Sequence, residues 1–118
     1  MYPQGVGAET GTKRFPAELA RAGEARHHIA WLAAAAGLRG EALHGLAVAA
    51  EALLTDVLLG SDGGVMEVFA RSEGGLLRIE ISHPTATGRV RGLEAVLERF
   101  LDGHELSPER SVLVKRLG

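Results

Sequence analysis

Residues 65–82 read VMEVFARSEGGLLRIEIS, and this stretch decides the fold. Val65 to Ala70 (VMEVFA) and Leu76 to Ser82 (LLRIEIS) have the composition of strands, and the Ser-Glu-Gly-Gly between them is turn chemistry. The segment is read as an antiparallel hairpin. Just upstream, from about Glu41 to Leu59, Leu43, Leu46, Ala50, Leu53, Leu54, Val57 and Leu58 cover more than one face of a helix, which marks it as the central, most buried one. Gly60, Asp62, Gly63 and Gly64 break that helix. Further upstream, Leu19, Ala22, Ala25 or Arg26, Ile29, Leu32 or Ala33 and Ala36 recur at three- and four-residue spacing, and Gly37 suits the left-handed residue that ends a helix. Lys13 to Phe15 reads as a short edge strand, stopped by Pro16, which has no N–H for a continuing ladder. Downstream of the hairpin, a third helix is predicted from about Gly92 to Leu101. Leu93, Val96, Leu97 and Phe100 line one side of it, and Glu94, Glu98 and Arg99 the other. Ser111 to Lys115 (SVLVK) closes the chain as a strand. The order β-α-α-β-β-α-β predicts an α+β two-layer sandwich, with helices on one face of a mainly antiparallel sheet.

A chain of 118 residues with 46% hydrophobic content suits one domain with a real core. Residues 1–12 (MYPQGVGAETGT) read as a flexible leader and residues 13–118 as the domain. The core must be aliphatic, because only three Phe, one Trp and one Tyr are present. Thirteen basic against fifteen acidic residues give a formal charge of −2, without the basic excess that drives phosphate-backbone binding, so nucleic acid is not expected as a partner. With no cysteine, disulfides, thiolate metal sites and cysteine nucleophiles are excluded. Met1 to Thr12 lacks the basic start and apolar stretch of a signal peptide, and a cytoplasmic location is expected. Ala42 to Leu59 is about as long as a membrane span, but His44, Glu51 and Asp56 interrupt it, which favours a buried helix of a soluble domain over a membrane partner.

Four pieces fall in a recognisable order: Phe15-Pro16-Ala17 leading into Glu24-Ala25-Arg26, the long helix ending near Leu54-Thr55-Asp56, the strand LLRIEIS, and Arg91-Gly92-Leu93 at a helix entrance. From about Arg14 to Leu117 the chain resembles the serine-protein-kinase-like anti-sigma factors of bacteria, whose domain belongs to the wider histidine-kinase-like ATPase group. The resemblance implies that ATPase fold, with ATP and Mg²⁺ as cofactors. It also implies a role in transcription regulation through a protein partner, either a sigma factor or a small anti-sigma-factor antagonist, and a homodimer. The Ala-rich face Ala33 to Ala36 permits a helix-mediated dimer, although such runs also serve internal packing.

The family's chemistry makes four demands on these residues. Its central helix places a Glu four residues before an Asn, the Asn holding Mg²⁺ and the Glu acting as base. Matching Leu54-Thr55-Asp56 to that motif puts Ala52 at the Glu position and Asp56 at the Asn position. Asp56 retains the oxygen donors that Mg²⁺ prefers, whereas Ala52 accepts no proton. Sliding the register by one residue restores Glu51 but puts Thr55 at the metal position. Second, the family has an Asp and two glycines after the hairpin to receive adenine; here the run is His83-Pro84-Thr85-Ala86-Thr87. Third, only Gly88, Arg89 and Val90 separate Thr87 from Arg91, so the ATP lid is shortened or absent. Fourth, the helix entrance normally reads Gly-x-Gly-Leu, presenting backbone N–H groups to phosphate. Val90-Arg91-Gly92-Leu93 keeps the second glycine and the leucine, and Arg89 and Arg91 remain as anion-attracting groups.

The expectation is therefore a degenerate member of that family. It is a protein-binding regulatory module with no catalytic residue unless Glu51 serves, no cofactor, and a vestigial nucleotide pocket at Asp56, His83, Arg91 and Gly92. The alternative is an active ATP- and Mg²⁺-dependent protein serine kinase that uses Asp56 as its metal ligand. No other metal site is read. The adjacent His27 and His28 point about 100° apart on a helix, and His44 and His104 have no evident partner in the sequence.

Overall fold

Five strands and three helices make up the computed structural model, which describes residues 12–59, 61, 63–85 and 90–117. Their order is β1 (Lys13–Pro16), α1 (Ala22–Ala35), α2 (Gly40–Leu58), β2 (Val65–Glu73), β3 (Leu76–Ser82), α3 (Leu93–Phe100), β4 (Gly103–Leu106) and β5 (Arg110–Arg116). Residues 1–11 of the twelve-residue leader, the breaker positions Gly60 and Asp62, and Ala86, Thr87, Gly88 and Arg89 of the shortened connection lie outside the described residues.

The sheet runs β1-β2-β3-β5-β4 and every neighbouring pair is antiparallel. At its centre, β2 and β3 turn through Gly74-Gly75, both at positive φ, a tighter connection than the predicted four-residue turn. β2 consequently continues to Glu73, three residues past its predicted end. The register pairs Ala70 with Ile79 and Val68 with Ile81. It also places Ile79 opposite Leu113 on β5. Residues directly opposite one another share a face. Met66, Val68, Ala70, Leu77, Ile79, Ile81 and Leu113 accordingly form one buried layer, and the helices cover that face.

The other face carries alternating charges. Arg14 pairs with Glu67, and Glu80 lies between Arg78 and Arg110. The Arg110 guanidinium hydrogen bond, supported by Arg78, holds the Glu80 carboxyl below the usual carboxylate range. Such a charged surface suits a sheet with one wet side.

α1 enters through a short 3-10 turn at Leu19–Arg21 and ends where the sequence predicts, at Gly37, whose φ is +111°. Two backbone bonds close that end: the Gly37 N–H donates to the Ala34 carbonyl and the Leu38 N–H to the Ala33 carbonyl, with Leu38 buried beneath. This is the Schellman arrangement, in which the carbonyls left over at a helix end are satisfied locally. α2 is the central helix as predicted: Leu46, Ala49, Ala50, Leu53 and Leu54 are fully buried. Where α3 crosses α2, a Cβ on Gly45 would lie 3.0 Å from the Phe100 ring, so the glycine sets how closely the two helices approach. Among the described residues, no helix is long and apolar enough to cross a membrane.

The structure corrects the predicted end of the chain. Two strands follow α3 instead of one, because Gly103–Leu106 pairs with Ser111 to Val114 as the outer edge. The junction is held by three contacts: Lys115 Nζ donates to the Phe100 carbonyl at 2.8 Å, the Arg116 N–H to Asp102 Oδ2 at 2.7 Å, and the Asp102 N–H to the Val114 carbonyl at 3.0 Å.

Because Leu53 sits fully buried where helices and sheet meet, Leu53→Ala removes a well-packed side chain from a site with little room to collapse. Urea denaturation is expected to show a loss of about 2–5 kcal/mol at unchanged slope.

Candidate functional site

Only some of the residues singled out by the sequence meet at one cleft. A groove of about 460 Å³ runs between α2 and the entrance to α3. Val48, Glu51, Ala52 and Thr55 form its α2 wall; Val90, Arg91, Gly92, Leu93 and Val96 form the other. Glu51 and Thr55 are four residues apart and so share a helix face, as do Ala52 and Asp56. The pair facing the groove is Glu51 and Thr55, with Ala52 between them. Glu51 is solvent-exposed and sits 3.5 Å from Arg26 of α1, an ion pair of the kind that contributes little.

Asp56 has a different position. It is 4% exposed, beneath the chain that leads into α3, where its Oδ1 accepts the Val90 N–H at 2.5 Å. A carboxylate accepting a backbone N–H makes one of the stronger hydrogen bonds available to a protein. This one fixes the end of α2 to the loop over it. The residue proposed as a magnesium ligand is thus already engaged in holding Val90 down.

Immediately after Val90, Gly92 occupies the cap position of α3 with φ +86°, a conformation that L side chains rarely adopt. Among the described residues, no side chain caps this helix end. Arg91 lies exposed on the groove wall.

His83 stands apart from the groove. It follows β3, is 5% exposed, and its backbone N–H donates to the Glu109 carbonyl. The side chain has partners on both nitrogens: Nδ1 lies 2.8 Å from the Pro84 carbonyl and Nε2 3.0 Å from Ser111 Oγ. A carbonyl only accepts, so Nδ1 carries a proton, and in the neutral ring Nε2 accepts from the Ser111 hydroxyl. The ring nitrogen that would have replaced an adenine acceptor is directed into β5. His83 lines a separate shallow surface with Val65, Pro84 and Arg110. Of the residues read as a vestigial nucleotide pocket, the structure brings Arg91 and Gly92 together with Glu51, puts Asp56 behind the wall, and leaves His83 elsewhere. The burial of Asp56 has a sequence signal that is legible in retrospect: it lies between Leu53-Leu54 and Val57-Leu58 on the fully apolar side of α2.

A second cleft, about 690 Å³, opens between β1 and α1 and was not anticipated from the sequence. Trp31, largely exposed, stacks on His28 at 6.3 Å, and His28 leans on Phe15 at 5.8 Å. Lys13 lies 5.6 Å above the Phe15 ring. Its sequence signal was available: Gly23, His27 and Trp31 recur at a four-residue interval on one side of α1.

No protein-family model matches the chain, and no curated protein matches it.

Burial, with Lys13 and His27 nearby, lowers the His28 pKa from the usual histidine value of about 6.5. Among the described residues its Nε2 is buried without a hydrogen-bond partner, so protonation would strand a charged donor there. A histidine whose pKa is depressed in the folded state contributes stability above its unfolded pKa, and that stability is lost as pH falls below about 6.5 towards the folded value. Thermal melts between pH 7 and pH 5 are expected to show a smaller acid-side drop in Tm for His28→Phe than for the unaltered chain.

Proposed function

We propose that this chain is a degenerate relative of the anti-sigma serine-protein-kinase-like domains, working as a regulatory protein-binding module and not as a kinase. The observation that carries the reading is the groove itself. In the register that puts Asp56 at the metal position, its α2 wall has Ala52 where the resemblance calls for a catalytic Glu; in the register that keeps Glu51, Thr55 stands at the metal position; and the opposite wall is held by the Asp56 to Val90 hydrogen bond. Val48, Ala52, Val90, Leu93 and Val96 make its lining largely apolar, with Glu51, Thr55 and Arg91 as the polar side chains among the described residues. A triphosphate with its metal is highly charged and requires donors and ligands that converge on it. An apolar slot bordered by Glu51 and Arg91 is better suited to apolar side chains of another protein, with the rim charges fixing orientation. The partner class that the resemblance supplies is a sigma factor or a small antagonist protein.

The α+β architecture, with its helices on one face of the sheet, is compatible with the histidine-kinase-like ATPase fold, and that fold assignment is part of the proposal. Isothermal titration with ATP and Mg²⁺ tests the reading. No saturable heat is expected at ligand concentrations up to the millimolar range. Micromolar binding would overturn it and restore the active kinase reading.

A further inference from the structure

His104 has no partner in the sequence, yet the fold gives it two. On β4 it pairs opposite Leu113 of β5, and Leu113 is fully buried on the helix-covered face of the sheet. His104 therefore turns its imidazole towards α3. There Glu94 and Glu98, four residues apart, project from the same side of the helix. One donor atom from each of the three side chains lies within 4.8 Å of the others, and His104 Nε2 is 4.0 Å from Glu94 Oε1.

Three features point to a cation. First, Glu94 and Glu98 are like charges at a spacing that destabilises a helix, and among the described residues neither has a Lys or Arg within ion-pair distance. Second, the frame is rigid, because the turn between α3 and β4 is pinned by the Lys115 bond to the Phe100 carbonyl and by the Asp102 bonds to Val114 and Arg116. Ligands carried on a helix and a strand are held more precisely than ligands on loops. Third, the donor set is chemically selective: one imidazole nitrogen with two carboxylates suits a borderline divalent ion, whereas Mg²⁺ and Ca²⁺ favour oxygen alone.

We propose that Glu94, Glu98 and His104 form a binding site for a divalent first-row transition ion, Zn²⁺ being the natural probe. Tetrahedral coordination with bonds of about 2.0–2.2 Å places ligand atoms about 3.4 Å apart. The existing cluster reaches that by rotation of the two exposed glutamates while His104, largely buried, stays fixed. Two carboxylates balance the ion's charge, and the fourth position is open to water. The site is distinct from the groove between α2 and the entrance to α3, since none of its three ligands lines that groove.

Isothermal titration of ZnCl₂ into the full chain is expected to show one saturable site. His104→Ala and Glu98→Gln are each expected to weaken it at least tenfold, with far-UV circular dichroism unchanged. The exposed Glu98 keeps the test valid if His104→Ala fails to fold. A His27→Ala/His28→Ala variant is the control and should bind like the unaltered chain. Absence of saturable binding, binding that survives both Glu98→Gln and His104→Ala, or binding lost only in the His27/His28 variant would overturn the assignment.

Discussion

The Asp56 carboxylate accepting the Val90 N–H is the interaction on which the groove between α2 and the entrance to α3 depends. It joins the end of the central helix to the segment that delivers the third. A buried carboxylate has to be hydrogen-bonded, since leaving it bare is costly. Val90 therefore has little freedom, and with it the glycine at 92 and the start of α3 are positioned over α2. The groove that results is shaped by this tether as much as by the side chains lining it.

Beneath the tether lies a conventional scaffold with one dry and one wet side. The hairpin from Val65 to Ser82 anchors the sheet, β5 extends it on one side, and α2 supplies the largest share of the helix layer. The two ends of the sheet differ. At β1 the edge is short and faces a cleft of aromatic and imidazole rings, while at β4 the edge is braced against α3 by Lys115 and Asp102. The groove, the aromatic cleft and the Glu94–Glu98–His104 cluster occupy separate parts of the helix layer. One small domain thus presents three chemically different surfaces: one apolar, one aromatic and one of paired carboxylates with an imidazole.

Much of this was legible in the sequence where local chemistry and tertiary packing agree. The end of α1 follows from Gly37, the hairpin from Gly74-Gly75, and the central position of α2 from its nearly all-round apolar pattern. What was not legible depends on pairing across long separations. Gly103–Leu106 has no strand pattern of its own, and its conformation comes from the register with β5. The same register turns His104 towards α3, which no spacing rule within the chain reveals. His83 shows the converse: its place just before Pro84 marks a strand end, but that its acceptor nitrogen is taken by Ser111, 28 residues away, emerges only when β3 and β5 lie side by side. Asp56 shows a tension within one residue, because its type suggests a metal ligand while its neighbours Leu53, Leu54, Val57 and Leu58 demand burial.

Amide hydrogen exchange at Val90, followed by NMR in the unaltered chain and in Asp56→Ala, tests the tether directly. A Val90 N–H bonded to a buried carboxylate should exchange far more slowly than an open loop amide, and should lose that protection when the carboxylate is removed. Exchange at the unprotected rate in the unaltered chain, or protection that persists in Asp56→Ala, would contradict the account of a groove held closed from beneath.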